Sequence, residues 1–274
     1  MFTQPFTFLA AGGGDSDATA YLEAVVAAGG TVTPTITTAT NTLFTDLKAA
    51  SLYTKIDVMY PYIGGVAASN AINAKLNATF NITWYGGMTF STNGAIGDGT
   101  NGYGDTNFNA SVSAIALDYS WGVYVYDKGN FGGEVYLNGA FDGTYLSMFR
   151  GDSSTEVGLY GYNGSNPRLA ITVPTDNKGL YISTFDSTST KSIYYNYNSA
   201  SPVSGSSSAG SPANLANQPI YSHVLNINGA PYAGNYCSAT TSFLYFGKYL
   251  TSGEVTTLSS IINTFQTTLS RNTY

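Results

Sequence analysis

The chain has 274 residues, and only 9% of them are charged, against roughly 25% in an average soluble domain; Tyr (23), Gly (31) and abundant Ser, Thr and Asn take their place. Its net charge of −6, with no cluster among its 10 basic residues, excludes a groove that displaces counterions from nucleic acid. One cysteine, Cys237, excludes an internal disulfide framework and a cysteine-based zinc site. No apolar run reaches the length of about 18 residues that a membrane span needs.

The opening residues, MFTQPFTFLAAGGG, read as an extended apolar arm over 1–14 that ends in a glycine hinge. They lack the basic region and long apolar core of a secretory signal, which fits a protein assembled inside a cell. A helical subdomain is expected over 15–78. Asp15 or Asp17 caps a first helix that runs to about Ala28, with Tyr21, Leu22, Val25 and Val26 on one face. Gly29 and Gly30 stop it. Thr33 and Pro34 then have the form of an N-cap and a first-turn proline, opening a second helix to about Ser51 that buries Ile36, Leu43, Phe44 and Leu47. The run from Ile56 to Ile63 reads as a strand broken by Pro61, and a short helix or turn follows over Ala67–Leu76.

From Thr79 the pattern becomes short apolar runs divided by Gly, Asn and Asp. These are Ala114–Leu117, Trp121–Tyr126, Glu134–Leu137, Tyr145–Phe149, Glu156–Tyr160, Leu169–Val173, Gly179–Phe185, Ser192–Tyr197, Tyr221–Ile227 and Phe243–Phe246. Short strands with turn signals at this spacing predict a two-sheet sandwich over 79–250. The Ser- and Pro-rich segment 199–219 reads as a long exposed loop. In 251–274, Thr251 and Glu254 form a capping box, and Val255, Leu258, Ile262, Phe265 and Leu269 recur at spacings of three and four. This predicts a C-terminal helix packed on the domain, with Arg271 in its last turn, where a cation suits the helix dipole.

Three blocks carry a family resemblance: YTKIDVMYPYIGG with TWYGGMTFSTNGAIGDGTNGYGDT, then KGLYISTFDSTSTKSIYYN from Lys178, then PIYSHVLNINGAPY through FLYFGKYLT to NTFQTTLSR. Together, over roughly residues 15–271, they resemble the LamG-like structural proteins of bacteriophages, especially those of Bacteroidetes hosts. The resemblance implies a mainly β fold: a concanavalin A-like (LamG) two-sheet jelly-roll sandwich with a small helical N-terminal subdomain and a C-terminal helix. It also implies a non-enzymatic virion structural protein on the capsid or tail surface, such as a head fibre, decoration or spike protein. Its expected partners are other virion proteins, further copies of itself and cell-surface or mucus glycans, with no nucleic acid and no membrane insertion. A glycan-binding receptor-recognition module of a tail fibre is the alternative, and a glycoside hydrolase the remote one.

Relatives of that fold suggest three chemistries to seek in the residues. Hydrolysis needs two carboxylates roughly 5–10 Å apart. The chain has only four Glu, with Glu23 and Glu254 on predicted helices and no alternating acidic neighbour beside Glu134 or Glu156, so no catalytic residue is assigned. His223, the only histidine, reads as a strand residue on an outer face. No cofactor is required, but calcium has a candidate site in Asp98, Asn101 and Asp105 of the DGTNGYGD stretch, which is also the composition of a plain turn. For sugar stacking the candidates are Tyr160 and Tyr162, which flank a turn, and Tyr195 and Tyr197, which strand alternation sends to one face. The same tyrosines would equally fill the sandwich or a subunit interface.

Overall fold

The computed structural model describes residues 14–273 apart from 77, 114–117, 132–134, 154, 164–167, 187–189, 198, 200–201 and 209–214, and gives the backbone alone at 113, 145–148, 152–153, 159–163 and 208. Helices α1 (Ser16–Ala27) and α2 (Pro34–Ala49) lead into strand β1 (Ile56–Tyr60) and the one-turn helix α3 (Ala67–Asn70). Four short strands follow: β2 (Thr83–Tyr85), β3 (Thr89–Ser91), β4 (Gly94–Ile96) and β5 (Tyr103–Asp105). After a turn of helix, α4 (Ala110–Ser113), come β6 (Tyr119–Asp127), β7 (Val135–Phe141), β8 (Tyr145–Ser153), β9 (Glu156–Asn163) and β10 (Arg168–Thr172). The chain continues through β11 (Gly179–Phe185), β12 (Thr190–Tyr195), β13 (Val203–Ser208), β14 (Tyr221–Ser222), β15 (Asn226–Ile227), β16 (Ala230–Pro231) and β17 (Thr240–Lys248), and ends in α5 (Ser252–Thr268).

The helix starts follow from their caps. The Asp15 carboxylate accepts the N–H groups of Asp17 and Ala18, Thr33 Oγ1 accepts that of Ile36, and Thr251 and Glu254 satisfy each other's backbone N–H. Lys48 ties α2 to the start of α1 by donating to both Asp15 oxygens and pairing with Asp17 at 2.7 Å.

The strands form two sheets, and the protein is a two-sheet β-sandwich, antiparallel but for the parallel pairing of β15 with β7. The first sheet has the order β13-β12-β11-β6-β17-β4-β3, with β1 also on β17; the second has β10-β9-β8-β7-β14-β5-β2. Alternation along the first sheet's strands divides its side chains between two cores. Trp121, Val123, Val125, Leu244 and Phe246 face the second sheet and meet Leu137, Phe149, Val157 and Ile171. Tyr124, Phe243, Tyr245, Leu180 and Ile182 face the other way and meet Tyr21, Phe44 and Leu47 of α1 and α2, with Leu258, Ile262 and Phe265 of α5. The centre of the first sheet, β11, β6 and β17, is therefore an inner layer buried on both faces, which is why these strands carry apolar residues on both sides. Each large side chain so buried contributes about 1.5–3 kcal/mol. The second sheet is the outer layer, and among the described residues its far side carries no helix.

Several expectations need correction. Val26 is 46% exposed rather than on the buried face of α1, whose buried residues are Ala18, Tyr21, Leu22 and Val25. Part of the expected 199–219 loop is strand β13, which pairs along the whole of β12; edge pairing, not side-chain propensity, makes VSGSSS extended. The Tyr221–Ile227 run is two strands, because His223 at φ +67° breaks it. Arg271 lies beyond the α5 C-cap, Leu269, and is buried instead of meeting the helix dipole from solvent. Its Nε donates to Gln266 Oε1, and its terminal nitrogens donate to the carbonyls of Pro61, Tyr62, Thr92 and Ser242. The apolar arm, except Gly14, and the run Ala114–Leu117 lie outside the described residues.

Candidate functional site

On the outer face of the outer sheet, the order β2-β5-β14-β7 lines up tyrosines that are far apart in sequence. Gly104 points inward, where an added Cβ would press on the Trp84 ring, so its neighbours Tyr103 and Asp105 point outward. Tyr85 is the register partner of Tyr103, and their rings stack at 4.8 Å and 13°. Tyr103 stacks in turn on Tyr221 at 5.0 Å and meets Tyr236 at 6.4 Å. Tyr221 and Tyr236 are buried, and the Tyr221 hydroxyl donates to the Gly229 carbonyl. The outermost ring, Tyr85, is 45% exposed on the edge strand, with one face on Tyr103. Among the described residues, the hydroxyls of Tyr85 and Tyr103 make no hydrogen bond.

Asp105 sits within this row, register partner of both Tyr221 and Thr83. One of its oxygens accepts the Asn107 N–H at 2.8 Å, and partial burial raises its pKa. Desolvation, and after it neighbouring tyrosines and Asp105, push the Tyr103 phenol up; Tyr221 is raised to about 12, mainly by desolvation and then by Asp105. Further along the same sheet, Tyr136 of β7 is buried and supports a second exposed ring, Tyr232, at 5.9 Å and 64°. The Tyr232 N–H donates to the Leu225 carbonyl at 2.8 Å, and the Arg150 guanidinium lies 5.8 Å from the Tyr136 ring. Each station thus presents one exposed tyrosine packed on a less exposed one, half-buried Tyr103 or buried Tyr136, a surface suited to stacking on a flat, hydroxyl-rich ligand.

None of these six tyrosines was a sequence candidate. The candidates themselves are scattered. Tyr160 and Tyr162 lie on β9, opposite Met148 and Leu146 of β8, and their side chains lie outside the described residues. Tyr195 is buried in the sandwich core, its hydroxyl donating to the Lys178 carbonyl, so it offers no ring face to a ligand. Asn196 at φ +45° then turns the chain, and Tyr197 packs edge-on against Tyr194 at 4.7 Å on the helical side instead of sharing a face with Tyr195.

The calcium candidate is built as a turn. Asp98 Oδ1 accepts the N–H groups of Thr100, Asn101 and Gly102 at 2.8–2.9 Å, and Oδ2 accepts the Thr100 hydroxyl at 2.6 Å. These donors hold the carboxyl well below its usual range despite some desolvation. Asn101 Oδ1 is likewise taken by the Gly87 N–H. Calcium needs converging oxygens; here N–H donors converge, and the residues do not fit the ion. Among the described residues no group of three or more His, Cys, Asp or Glu side chains is placed to hold a metal.

The remaining candidates are structural. His223 is fully buried, not on an outer face, between Ser222 Oγ at Nδ1 and the Ala239 carbonyl at Nε2. Cys237 is buried and its thiol is raised to about 12 by desolvation. Glu156 pairs with Arg168 at 2.8 Å, and Glu134 lies outside the described residues. A groove of about 580 Å³ between the start of α2, the 63–66 segment and the end of α5 has, among the described residues, no titratable side chain in its wall.

No protein-family model matches the chain, and no curated protein is similar to it at the sequence level. Among solved structures it resembles domain 4 of AbnA, an extracellular GH43 arabinanase from Geobacillus stearothermophilus, in complex with arabinotriose (TM-score 0.53, 16% identity, 75% of this chain and 98% of that one). It also resembles the botulinum neurotoxin serotype D binding domain (TM-score 0.50, 10% identity), covering 77% of this chain and about half, 52%, of that chain. At these identities the likeness is one of fold, and it places the chain among β-sandwich proteins.

Proposed function

We propose that this chain is a non-enzymatic, glycan-binding sandwich of the LamG-like, concanavalin A-like jelly-roll type, displayed on the surface of a bacteriophage particle. The observation that carries glycan binding is the Tyr85–Tyr103–Tyr221 row, an aromatic ladder with one exposed end and a carboxylate beside it, on the outer sheet face opposite the helices. Sugar rings stack their C–H faces on such aromatic surfaces, and carboxylates and phenols take their hydroxyls. The arabinanase domain of similar fold holds arabinotriose, which supports a saccharide ligand for this sandwich. The virion role rests on the sequence blocks, with other virion proteins and copies of this chain as its partners.

A glycan array read with the wild type and Tyr85→Ala tests the binding role. Retention of a subset of glycans, lost in the variant, is expected; an array without signal for the wild type would remove the reading. The virion role is tested separately, by peptide mass spectrometry of purified particles. A chain absent from the particle overturns it.

A further inference from the structure

We infer that the face takes an extended oligosaccharide laid across strands β2, β5, β14 and β7, rather than a single terminal sugar. This rests on the glycan-binding reading above. Among the described residues, the exposed tyrosine rings Tyr85 and Tyr232 belong to different stations of one sheet face. Tyr85 is on β2, and Tyr232 rests on Tyr136 of β7, three strands away in the sheet order. At about 4.8 Å per strand, that is roughly 14 Å, more than one sugar ring covers.

The two stations are parts of one construction. The stretch from Tyr232 to Tyr236 serves both: Tyr232 packs on Tyr136, and Tyr236 packs with Tyr103, Tyr221 and Val224. The stretch is fixed at both ends, by the Tyr232 N–H on the Leu225 carbonyl and by the Asn235 carbonyl, which accepts the Tyr136 N–H. The rings are therefore set before a ligand arrives, which lowers the ordering cost of engaging both. At the Tyr85 end Asp105, two residues along β5 from Tyr103 and register partner of Tyr221 and Thr83, places a carboxylate beside the row. A carboxylate accepts from sugar hydroxyls and repels acidic sugars, so the unit seated there is a neutral one.

The probe is a glycan array carrying neutral ladders from monosaccharide to hexasaccharide, read with the wild type, Tyr85→Ala, Tyr85→Phe and Tyr232→Ala. The wild type should gain about tenfold or more in apparent affinity along the ladder it recognises. Tyr85→Ala and Tyr232→Ala should each flatten that gain, and Tyr85→Phe should keep it, because the ring face does the stacking. Thermal midpoints of all variants, both positions being exposed, show whether the fold is kept. Binding that is equal for monosaccharide and hexasaccharide, or unaffected by Tyr232→Ala, overturns this inference and leaves glycan binding standing. An array without signal for the wild type removes both.

Discussion

The guanidinium of Arg271 donates to the main-chain carbonyl of Tyr62 at 2.9 Å, joining positions 209 apart in sequence. Among the described residues its hydrogen-bond partners are four carbonyls and the Gln266 side chain, with no carboxylate. Burial lowers its pKa to about 10, so it remains a cation at neutral pH. Its fork of donors pins the chain after α5 to the 61–62 segment, to the turn at Thr92 and to β17.

Replacing Arg271 with Met leaves those carbonyls buried without donors. The variant should lose at least about 3 kcal/mol of unfolding free energy, measured by urea denaturation. Arg271→Lys should recover only part of this, since an ammonium lacks the planar fork. A loss below about 1 kcal/mol for Arg271→Met would contradict the pinning role.

The buried His223 predicts an acid-sensitive fold. Its Nε2 faces a carbonyl, which can only accept, so Nε2 holds the proton and Nδ1 accepts from Ser222. Burial lowers its pKa from 6.5 to about 4. The unfolded chain therefore binds a proton between those values while the folded one does not, and stability falls as pH drops from about 6.5 to 4. The loss is roughly 3 kcal/mol for such a shift. Depressed carboxylates such as Asp15 and Glu254 lose their contribution lower still, and the raised Asp57 and Asp105 act in the opposite sense. The difference in unfolding free energy between the wild type and His223→Gln isolates the histidine. A difference constant from pH 7 to 4 would refute the assignment.

Tyr195 and Tyr85 should behave as opposites. Tyr195→Ala empties a core position and removes the donor to Lys178, and should cost about 3–5 kcal/mol. Tyr85→Ala should change stability by less than about 1 kcal/mol while weakening glycan retention. Paired calorimetry and array measurements check both; equal destabilisation would mean that the Tyr85 ring belongs to the core.

Asp98→Ala strips one carboxylate from three N–H groups and a hydroxyl. A loss of about 1–3 kcal/mol is expected. Adding calcium to the wild type should leave its thermal midpoint where EDTA leaves it. A calcium-dependent rise abolished by Asp98→Ala would show that the turn can open into a metal loop.

How much of this was legible in the sequence depends on how local each signal is. The caps at Asp15, Thr33 and Thr251 and the stripe on α5 act within a turn or two of chain, and the helices lie where those residues put them. The Gly179–Phe185 strand also matches its expected bounds. Strand β13 was hidden because Val203 is its only apolar residue and Ser and Gly fill the rest, and only pairing with β12 makes it a strand. The tyrosine face was hidden for a related reason. Tyr85, Tyr103 and Tyr221 sit on strands of two or three residues, too short to show a period, and the sheet order alone makes them neighbours. Arg271 misled because its position suits a dipole contact, while the carbonyls that enclose it come from three distant segments.

The three layers give the molecule a front and a back. Asp15 and its partner Lys48 lie among the helices, and Asn272 and Thr273 bond to the Tyr124 hydroxyl on the helical side of the inner sheet. A linker, label or solid support joined beyond either point would hold the protein by its helical back. The sandwich then acts as a spacer that turns the tyrosines outward, so a tether through the helical side should leave Tyr85 and Tyr232 accessible. A cross-link through the β2 edge would cover it.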